Sequence, residues 1–311
     1  MDTRQYIALG LLGASALVAV LVVANKPAPR PANAGNQNNN KVINDKLPGA
    51  LPLTAVIRDF KAAEESSGHP DFEAFTGTTR VGLVADRLDE EGKPVLASRF
   101  GKQIVKEYTD SRGNPIMPAM FDTSRGDKAG ELREMSDVRI TSEESFNQWY
   151  RNVPGVNSSK AVTLVLKRVG NTTRYVFDSA TDAQWVPHGG FFPINNNLFG
   201  NYKNTGKNYH FTTELATRFV YNRGAGDTFK FTGDDDVWVF IDGRLVIDLG
   251  SLHSKKEQTI ELDRLDWLVS GKIYELQIFH AERHTTESNF RIETTLQLRK
   301  AQLPNTVNPY D

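Results

Sequence analysis

The sequence predicts a mainly β fold, an antiparallel β-sandwich with loop-rich insertions and one short helix, preceded by an apolar N-terminal helix. Near the C terminus, alternate residues from 290 to 298 form one face and the residues between them form the other. Further short strand patterns are separated by turn signals such as Asp242-Gly243, a dipeptide typical of two-residue hairpins. Strands at this spacing, with a single convincing helical pattern, are typical of a β-sandwich.

The first element is an apolar run over residues 6–24, with Arg4 before it and Lys26 after it. This run is longer than the roughly 7–15 residues of a signal-peptide core and close to the about 20 residues of a membrane-spanning helix. It therefore predicts an uncleaved signal anchor at residues 1–24. The alternative is a cleaved signal peptide with residues 32–34 as its small-residue site. In both cases the remainder of the chain is exported.

Residues 25–50 are rich in Pro and Asn and predict a disordered linker. We expect one folded domain at residues 51–300 and a short tail at 301–311. The net charge of −1 gives no sign of a nucleic-acid partner. The absence of cysteine excludes disulfide scaffolds and thiol catalysis, and in an exported protein it favours a bacterial source.

Within the domain, one helix is predicted from Thr141 to a point before Pro154, with Glu144 completing a capping box. The region 81–125 is expected to consist largely of loops and turns. The remaining patterns predict strands. These lie at residues 53–60, 161–169, 173–179, 209–219, 228–232, 237–241, 244–248, 274–278 and 290–298.

The most informative motif is the acidic run Asp234, Asp235 and Asp236, which directly precedes the unbroken apolar run 237–241. Adjacent like charges at the start of a buried strand repel one another, and a cation bound by hard oxygen ligands would relieve this repulsion. Calcium is the cation that such ligands suit best. The alternative is a solvated strand entry whose side chains cap backbone amides.

Several segments resemble the fibro-slime domain, which is similar in turn to the β-sandwich of the PA14 superfamily of carbohydrate-binding and adhesin domains. The segments that carry this resemblance are 57–60, 69–73, 146–150, 191–193, 211–214, 232–243 (TGDDDVWVFIDG) and 279–294 (FHAERHTTESNFRIET). The resemblance implies that Asp234 and Asp235, joined by a cis peptide bond, bind calcium (Ca2+) together with Asn289. It leaves the role of Asp236 open.

The loop over residues 281–289 holds the densest polar chemistry outside the acidic run. Sequence reasoning therefore predicts a ligand-binding set at this end of the domain, to which Trp185 is added because of the polar, glycine-rich segment that follows it. The set is Asp236, Glu282, Arg283, His284, Glu287, His253 and Trp185. The alternatives are an ion pair between Glu282 and Arg283, two ordinary loop histidines, and a tryptophan of the core.

These expectations combine into an exported, membrane-anchored adhesion or recognition module that binds calcium and, through it, a glycan or an extracellular matrix component. A first alternative is a structural subunit that assembles with copies of itself or another subunit and uses calcium for loop stability alone. A second is a glycoside hydrolase with Asp235 and Glu282 as its carboxyl pair. We expect no enzyme, because clustered acids suit a metal better than two separated carboxyls, and no G-x-S-x-G, H-E-x-x-H or phosphate-loop motif occurs.

Overall fold

The computed structural model describes residues 47–299 of the chain. The predicted N-terminal helix at 1–24, nearly all of the linker and the predicted tail lie outside the described residues. Within the described range, no helix combines the length and the apolar character that a membrane crossing requires.

The described part is mainly β, as predicted, with fourteen strands and one short α-helix, α1 (Glu143–Asn147). Short 3-10 turns occur at Pro118–Met120, Thr123–Arg125, Val186–His188 and Leu262–Arg264. The strands are β1 Ala50–Asp59, β2 Arg80–Val81, β3 Lys102–Lys106, β4 Glu131–Glu134, β5 Ser158–Arg168, β6 Tyr175–Asp178, β7 Phe211–Val220, β8 Thr228–Gly233, β9 Asp236–Ile241, β10 Arg244–Leu249, β11 Lys256–Glu261, β12 Ile273–Glu282, β13 Phe290–Thr294 and β14 Leu298–Arg299.

The strands form two antiparallel sheets. The large sheet runs β10-β9-β12-β7-β1-β5-β6-β13-β8-β11, with β14 beside β7, and the small sheet runs β2-β3-β4. The two ends of the large sheet meet where Gln258 on β11 exchanges two hydrogen bonds with the backbone of Asp248 on β10, at 2.9 and 3.0 Å. The sheet thus folds over into a sandwich around its own apolar core.

Strand β9 explains why the run 237–241 has no polar residue. Val237, Val239 and Ile241 face the core of the sandwich. Trp238 and Phe240 face the opposite side, where they pack in a second apolar cluster formed with the segment that precedes β5. Because both faces of β9 are buried, alternation between apolar and polar residues is lost.

The helix is shorter than predicted and its cap lies one residue later. Ser142 is the N-cap, and its hydroxyl accepts a hydrogen bond from the Ser145 amide at 3.0 Å, while the Ser145 hydroxyl accepts one from the Ser142 amide at 3.1 Å. Ser145 thereby takes the role expected of Glu144. The amide of Thr141, the predicted start, instead donates to Asp71 at 2.7 Å, which draws Thr141 out of the helix.

Two further sequence predictions concern a turn and a strand, of which the first is confirmed and the second is partly wrong. The turn at Asp242-Gly243 has positive φ angles of 54° and 69°, as a two-residue hairpin of this type requires. The predicted strand at 290–298 is wrong in its second half, since β13 ends at Thr294 and β14 pairs with β7 instead. The Thr294 hydroxyl accepts the Leu296 amide at 3.1 Å, a local bond that turns the chain between the two strands.

Candidate functional site

The candidate site lies at one end of the sandwich, where two connections meet. The first carries Asp234 and Asp235 from β8 to β9, and the second follows β12 and leads to β13. Register explains their proximity, because Ala281 of β12 pairs with Asp236 and Phe290 of β13 pairs with Gly233. The sheet therefore places both connections at the same edge.

Asp234 and Asn289, two of the predicted metal ligands, are in direct contact. The Asp234 carboxylate accepts hydrogen bonds from the Asn289 amide and, at 2.8 Å, from its side-chain nitrogen. This approach requires glycine at position 233, because a Cβ there would lie 2.6 Å from the carbonyl oxygen of Asn289. The sequence pair Gly233-Asp234 thus fixes the position of Asn289.

Asp235, the third predicted ligand, adopts a left-handed conformation with φ of 53°, which aspartate tolerates better than most residues. Its Oδ2 accepts the backbone amides of Arg283 at 2.8 Å and His284 at 3.2 Å. The expected cis bond between Asp234 and Asp235 is wrong. In residues 47–299 the cis peptide bond is Thr285–Thr286, in the facing loop.

Asp236 serves a different function from its two neighbours. Its carboxylate accepts the Ser251 amide at 2.6 Å and forms an ion pair with Nε of Arg283 at 2.6 Å. Both side chains of this pair are fully buried. The proposed ion pair between Glu282 and Arg283 is therefore wrong, since Arg283 pairs with Asp236.

Arg283 also joins the site to the segment that precedes β5. Its Nη1 donates to the carbonyl oxygens of Asp71 at 3.2 Å and Arg139 at 3.0 Å. Its guanidinium carbon lies 4.8 Å from the centre of the Trp149 ring, a favourable cation–π arrangement. Arg283 is thus an internal anchor, and its guanidinium is not available to a ligand.

A cavity of about 360 Å³ opens beside the two acids. Five of the predicted metal- and ligand-binding residues line it, namely Asp234, Asp235, His253, His284 and Glu287. The other lining residues are Thr76, Gly77, Leu252, Ser254, Thr285 and Thr286. The cavity wall is therefore rich in carboxylate, hydroxyl and imidazole groups.

Glu282 and Trp185 lie elsewhere. Glu282 is fully buried behind the cavity, and neither of its carboxyl oxygens has a hydrogen-bond partner of good geometry, although Ser288 and Asp235 lie close enough to influence its pKa. Trp185 is 3% exposed and lines a separate cleft. Its packing against Phe177 and Phe191 supports the alternative that it belongs to the core.

Burial disfavours the ionised form of the acids in the site when no cation is bound. Burial raises the pKa of Asp235 to about 8, although the amide and the charge of Arg283 act in the opposite direction. Burial also raises the pKa of Asp234, against the hydrogen bonds from Asn289. The pKa of Glu282 is raised well above its usual range by burial and by the charges of Asp235 and Asp234. A cation at this position would relieve all three groups.

The available donors fit calcium in chemical type. Across the described chain, no three side chains of His, Cys, Asp or Glu are arranged to hold a metal ion. The predicted set of metal ligands contains two such residues, Asp234 and Asp235, and its third member is Asn289, with its side-chain amide. Carboxylate and amide oxygens are calcium ligands.

One residue that positions the cavity was not recognised from the sequence. The Glu73 carboxylate accepts the Thr285 amide at 3.1 Å, the Thr285 hydroxyl at 2.9 Å and, in the appropriate tautomer, Nε2 of His210 at 3.0 Å. Its own amide donates to the Arg283 carbonyl at 2.7 Å. The available signal was the segment 69–73, which belongs to the fibro-slime resemblance but carried no predicted role.

Comparison with known proteins supports part of the resemblance. The model of the PA14 domain family matches residues 193–307, which include both connections of the site. The predicted resemblance to PA14 domains is thereby confirmed for this part of the chain. The narrower fibro-slime assignment stays a prediction.

Two proteins of Dictyostelium discoideum are similar over more of the chain. Protein psiQ is 41% identical over 216 residues, covering 63% of this chain and 21% of psiQ. Protein psiD is 37% identical over 258 residues, covering 80% of this chain and 42% of psiD. This chain therefore spans less than half of the length of either relative.

Among solved structures, the epithelial adhesin 6 A domain of Candida glabrata, in complex with Galb1-3GlcNAc, aligns with 85% of this chain and 84% of that chain. The identity is 11% and the TM-score is 0.23. A TM-score this low does not establish a common fold.

Proposed function

We propose that this chain, which matches the PA14 domain family over residues 193–307, is an exported cell-surface module for adhesion or recognition. Its ligand would be a glycan or an extracellular matrix component, bound with calcium in the cavity beside Asp234 and Asp235. A membrane anchor at residues 1–24 would hold the module at the surface.

The observation that carries this proposal is the meeting of two buried carboxylates at the mouth of a cavity whose rim bears hydroxyl groups. Asp234 and Asp235 are 4% and 5% exposed, yet both line the cavity. Burying a carboxylate without a counter-ion in direct contact is costly even when it accepts hydrogen bonds, and a cation or a ligand can compensate. Calcium would supply that charge and leave coordination positions for the hydroxyl groups of a sugar.

The residues have separable tasks under this proposal. Asp234, Asp235 and Asn289 would hold the ion, and the hydroxyl groups of Thr76 and Thr285, which line the cavity, would contact the ligand. Each sugar offers little area to bury, so binding at one site is expected to be weak. Many copies at a surface would raise the overall avidity.

The test compares Asp235→Asn with Asp266→Asn, an exposed acid outside the site. We expect calcium to raise the melting temperature of the wild-type chain and of Asp266→Asn, and a glycan array to give signals that a chelator abolishes. Asp235→Asn should lose both effects and remain folded, because an amide is a close neutral substitute for a carboxyl whose pKa is raised to about 8. Calcium-independent melting together with an empty or chelator-insensitive array contradicts the proposal.

A structural role for calcium is the second candidate, and one observation favours it. Asp234 and Asp235 already bond to the facing connection through Asn289 and Arg283, so an ion there would reinforce a link between the two loops. In that case a chelator lowers the melting temperature and no glycan binds in its absence or presence.

The hydrolase alternative has the least support. Glu282, its second carboxyl, is fully buried and does not line the cavity, so it has no access to a glycosidic bond there. Hydrolysis of chromogenic glycosides that collapses on Glu282→Gln would reverse this conclusion.

A further inference from the structure

Strand β5 has an open edge over most of its length. It pairs with β1 at every position from 158 to 167, but with β6 only at Lys167 and Arg168. Beyond that point β6 turns away to pair with β13. No other strand of residues 47–299 pairs with the free side of β5.

The ladder identifies which backbone groups face this edge. The Arg168 amide donates to Gly49 on the β1 side at 2.9 Å, and the Val169 amide donates to Arg174 on the β6 side at 2.9 Å. Because the direction alternates along an antiparallel strand, the odd-numbered residues of β5 point away from β1. The amides and carbonyls that face the open edge are therefore those of Ser159, Ala161, Thr163 and Val165.

A cleft of about 390 Å³ borders part of this edge. One wall is formed by Lys160–Val162 of β5, and the other by the segment 184–197. Trp185 and Phe192, which are 3% and 2% exposed, give this wall an apolar base. The cleft thus lies where the next strand of the sheet would run.

The ionisable side chains that line the cleft are basic, whereas the acid Asp182 is paired with Lys167 farther along β5 at 2.8 Å. Lys160 and His188 line it and are exposed, and the Lys207 ammonium lies 4.4 Å from the centre of the Phe192 ring. No Asp or Glu occurs among its lining residues in the described chain. A second copy of β5 would bring its own Lys160 to this edge, so charge disfavours self-pairing and favours an acidic occupant.

We propose that the open edge of β5 binds an extended peptide segment of a partner protein that carries both acidic and apolar residues on one face, at every second position. The segment adds to the sheet as a further strand. Its backbone bonds to the free groups of β5, its apolar side chains contact Trp185 and Phe192, and its acidic side chains meet Lys160, His188 and Lys207. This site is separate from the cavity beside Asp234 and does not depend on calcium.

The test uses the full chain and the acetylated, amidated heptapeptide Asp-Ser-Val-Ser-Val-Ser-Asp, whose Asp and Val side chains share one face of an extended strand. Its control is the same peptide with alternate amides N-methylated, which removes the strand bonds along one edge and leaves composition and charge unchanged. We expect calorimetry to show at least tenfold weaker binding of the methylated peptide. Hydrogen exchange at the amides of residues 159, 161, 163 and 165 should slow on addition of the unmodified peptide.

Two protein variants complete the test. Thr163→Pro removes an amide that faces the open edge without touching the ladder to β1, whereas Thr163→Val changes the exposed side chain alone. We expect Thr163→Pro to weaken peptide binding at least tenfold and Thr163→Val to leave it within about twofold. Lys160→Glu, at an exposed position, should shift the preference to the same peptide with Lys in place of Asp.

The inference is overturned if both peptides bind equally, or if Thr163→Pro binds like the wild type. It is also overturned if the amides of residues 159, 161, 163 and 165 are already protected from exchange in the free chain, since the edge is then occupied. Concentration-dependent self-association that disappears in Thr163→Pro assigns the edge to a second copy instead.

Discussion

Replacing Arg283 by methionine is expected to lower the free energy of unfolding by about 3–5 kcal/mol, the usual cost of breaking a buried ion pair from one side. Methionine keeps much of the arginine volume but leaves the fully buried Asp236 carboxylate without its counter-ion. It also removes the donors to the carbonyls of Asp71 and Arg139. For a domain of this size the loss corresponds to a fall in melting temperature of about 6–20 °C.

The measurement is urea unfolding followed by tryptophan fluorescence, with Arg218→Met as the matched control. Arg218 pairs with Glu275 at 3.7 Å, and these side chains are 49% and 39% exposed. An exposed pair of this kind contributes about 0–1 kcal/mol. Arg283→Lys should fall between the two variants, because it keeps the charge but loses the planar group that reaches three acceptors.

Equal stability of Arg283→Met and Arg218→Met would refute the assignment of Arg283 as an anchor. A double variant sharpens the test. Adding Asp236→Leu to Arg283→Met removes the isolated buried carboxylate, so the double variant should be more stable than Arg283→Met alone.

Three further outcomes are expected. Burial lowers the pKa of His280 to about 3, so below about pH 6.5 the unfolded chain takes up a proton that the folded chain does not, and stability falls by about 1.4 kcal/mol per pH unit. His280→Phe should make acid unfolding less steep, and an unchanged slope would contradict this. Gly233→Ala should destabilise the fold by about 1–3 kcal/mol through its clash with Asn289, whereas Gly49→Ala, in open space, should be neutral in the same urea assay. Glu73→Gln should speed hydrogen exchange in residues 284–287, and unchanged exchange would show that Glu73 does not hold this loop.

Local patterns predicted much of the β framework. Alternation marked β12 and β13, and the Asp-Gly pair marked the turn between β9 and β10, because each pattern needs only neighbouring residues. Strands β2 to β4 and β11 were not predicted. Strand β11 (KEQTIE) is too polar to show a periodic signal, and it owes its position to pairing with β8.

The sequence predicted the acidic residues of the candidate site but not the residues that the segment preceding β5 contributes to it. Asp234, Asp235 and Asn289 lie on motifs that resemble a known family, so their meeting followed from the resemblance. Glu73, Thr76 and Gly77 lie more than 150 residues earlier than Asp234 in the sequence, and no local pattern predicts a contact over that distance.

The predicted pairing of Glu282 with Arg283 failed for a geometric reason. Successive side chains of a strand point to opposite faces, so neighbours at the end of β12 do not meet. The two side chains therefore lie in different environments. Arg283 reaches Asp236 at the start of β9, and Glu282 is turned into the interior.

The burial of β9 on two faces has a practical consequence for how the protein can be divided. Cutting the chain at the limits of the family match, 193–307, would discard β1, β5 and the segment between them, which covers the indole of Trp238 and the ring of Phe240. Such a fragment would expose one apolar face of β9 to water and is expected to precipitate. Recombinant work on the cavity beside Asp234 should therefore use a chain that starts no later than β1.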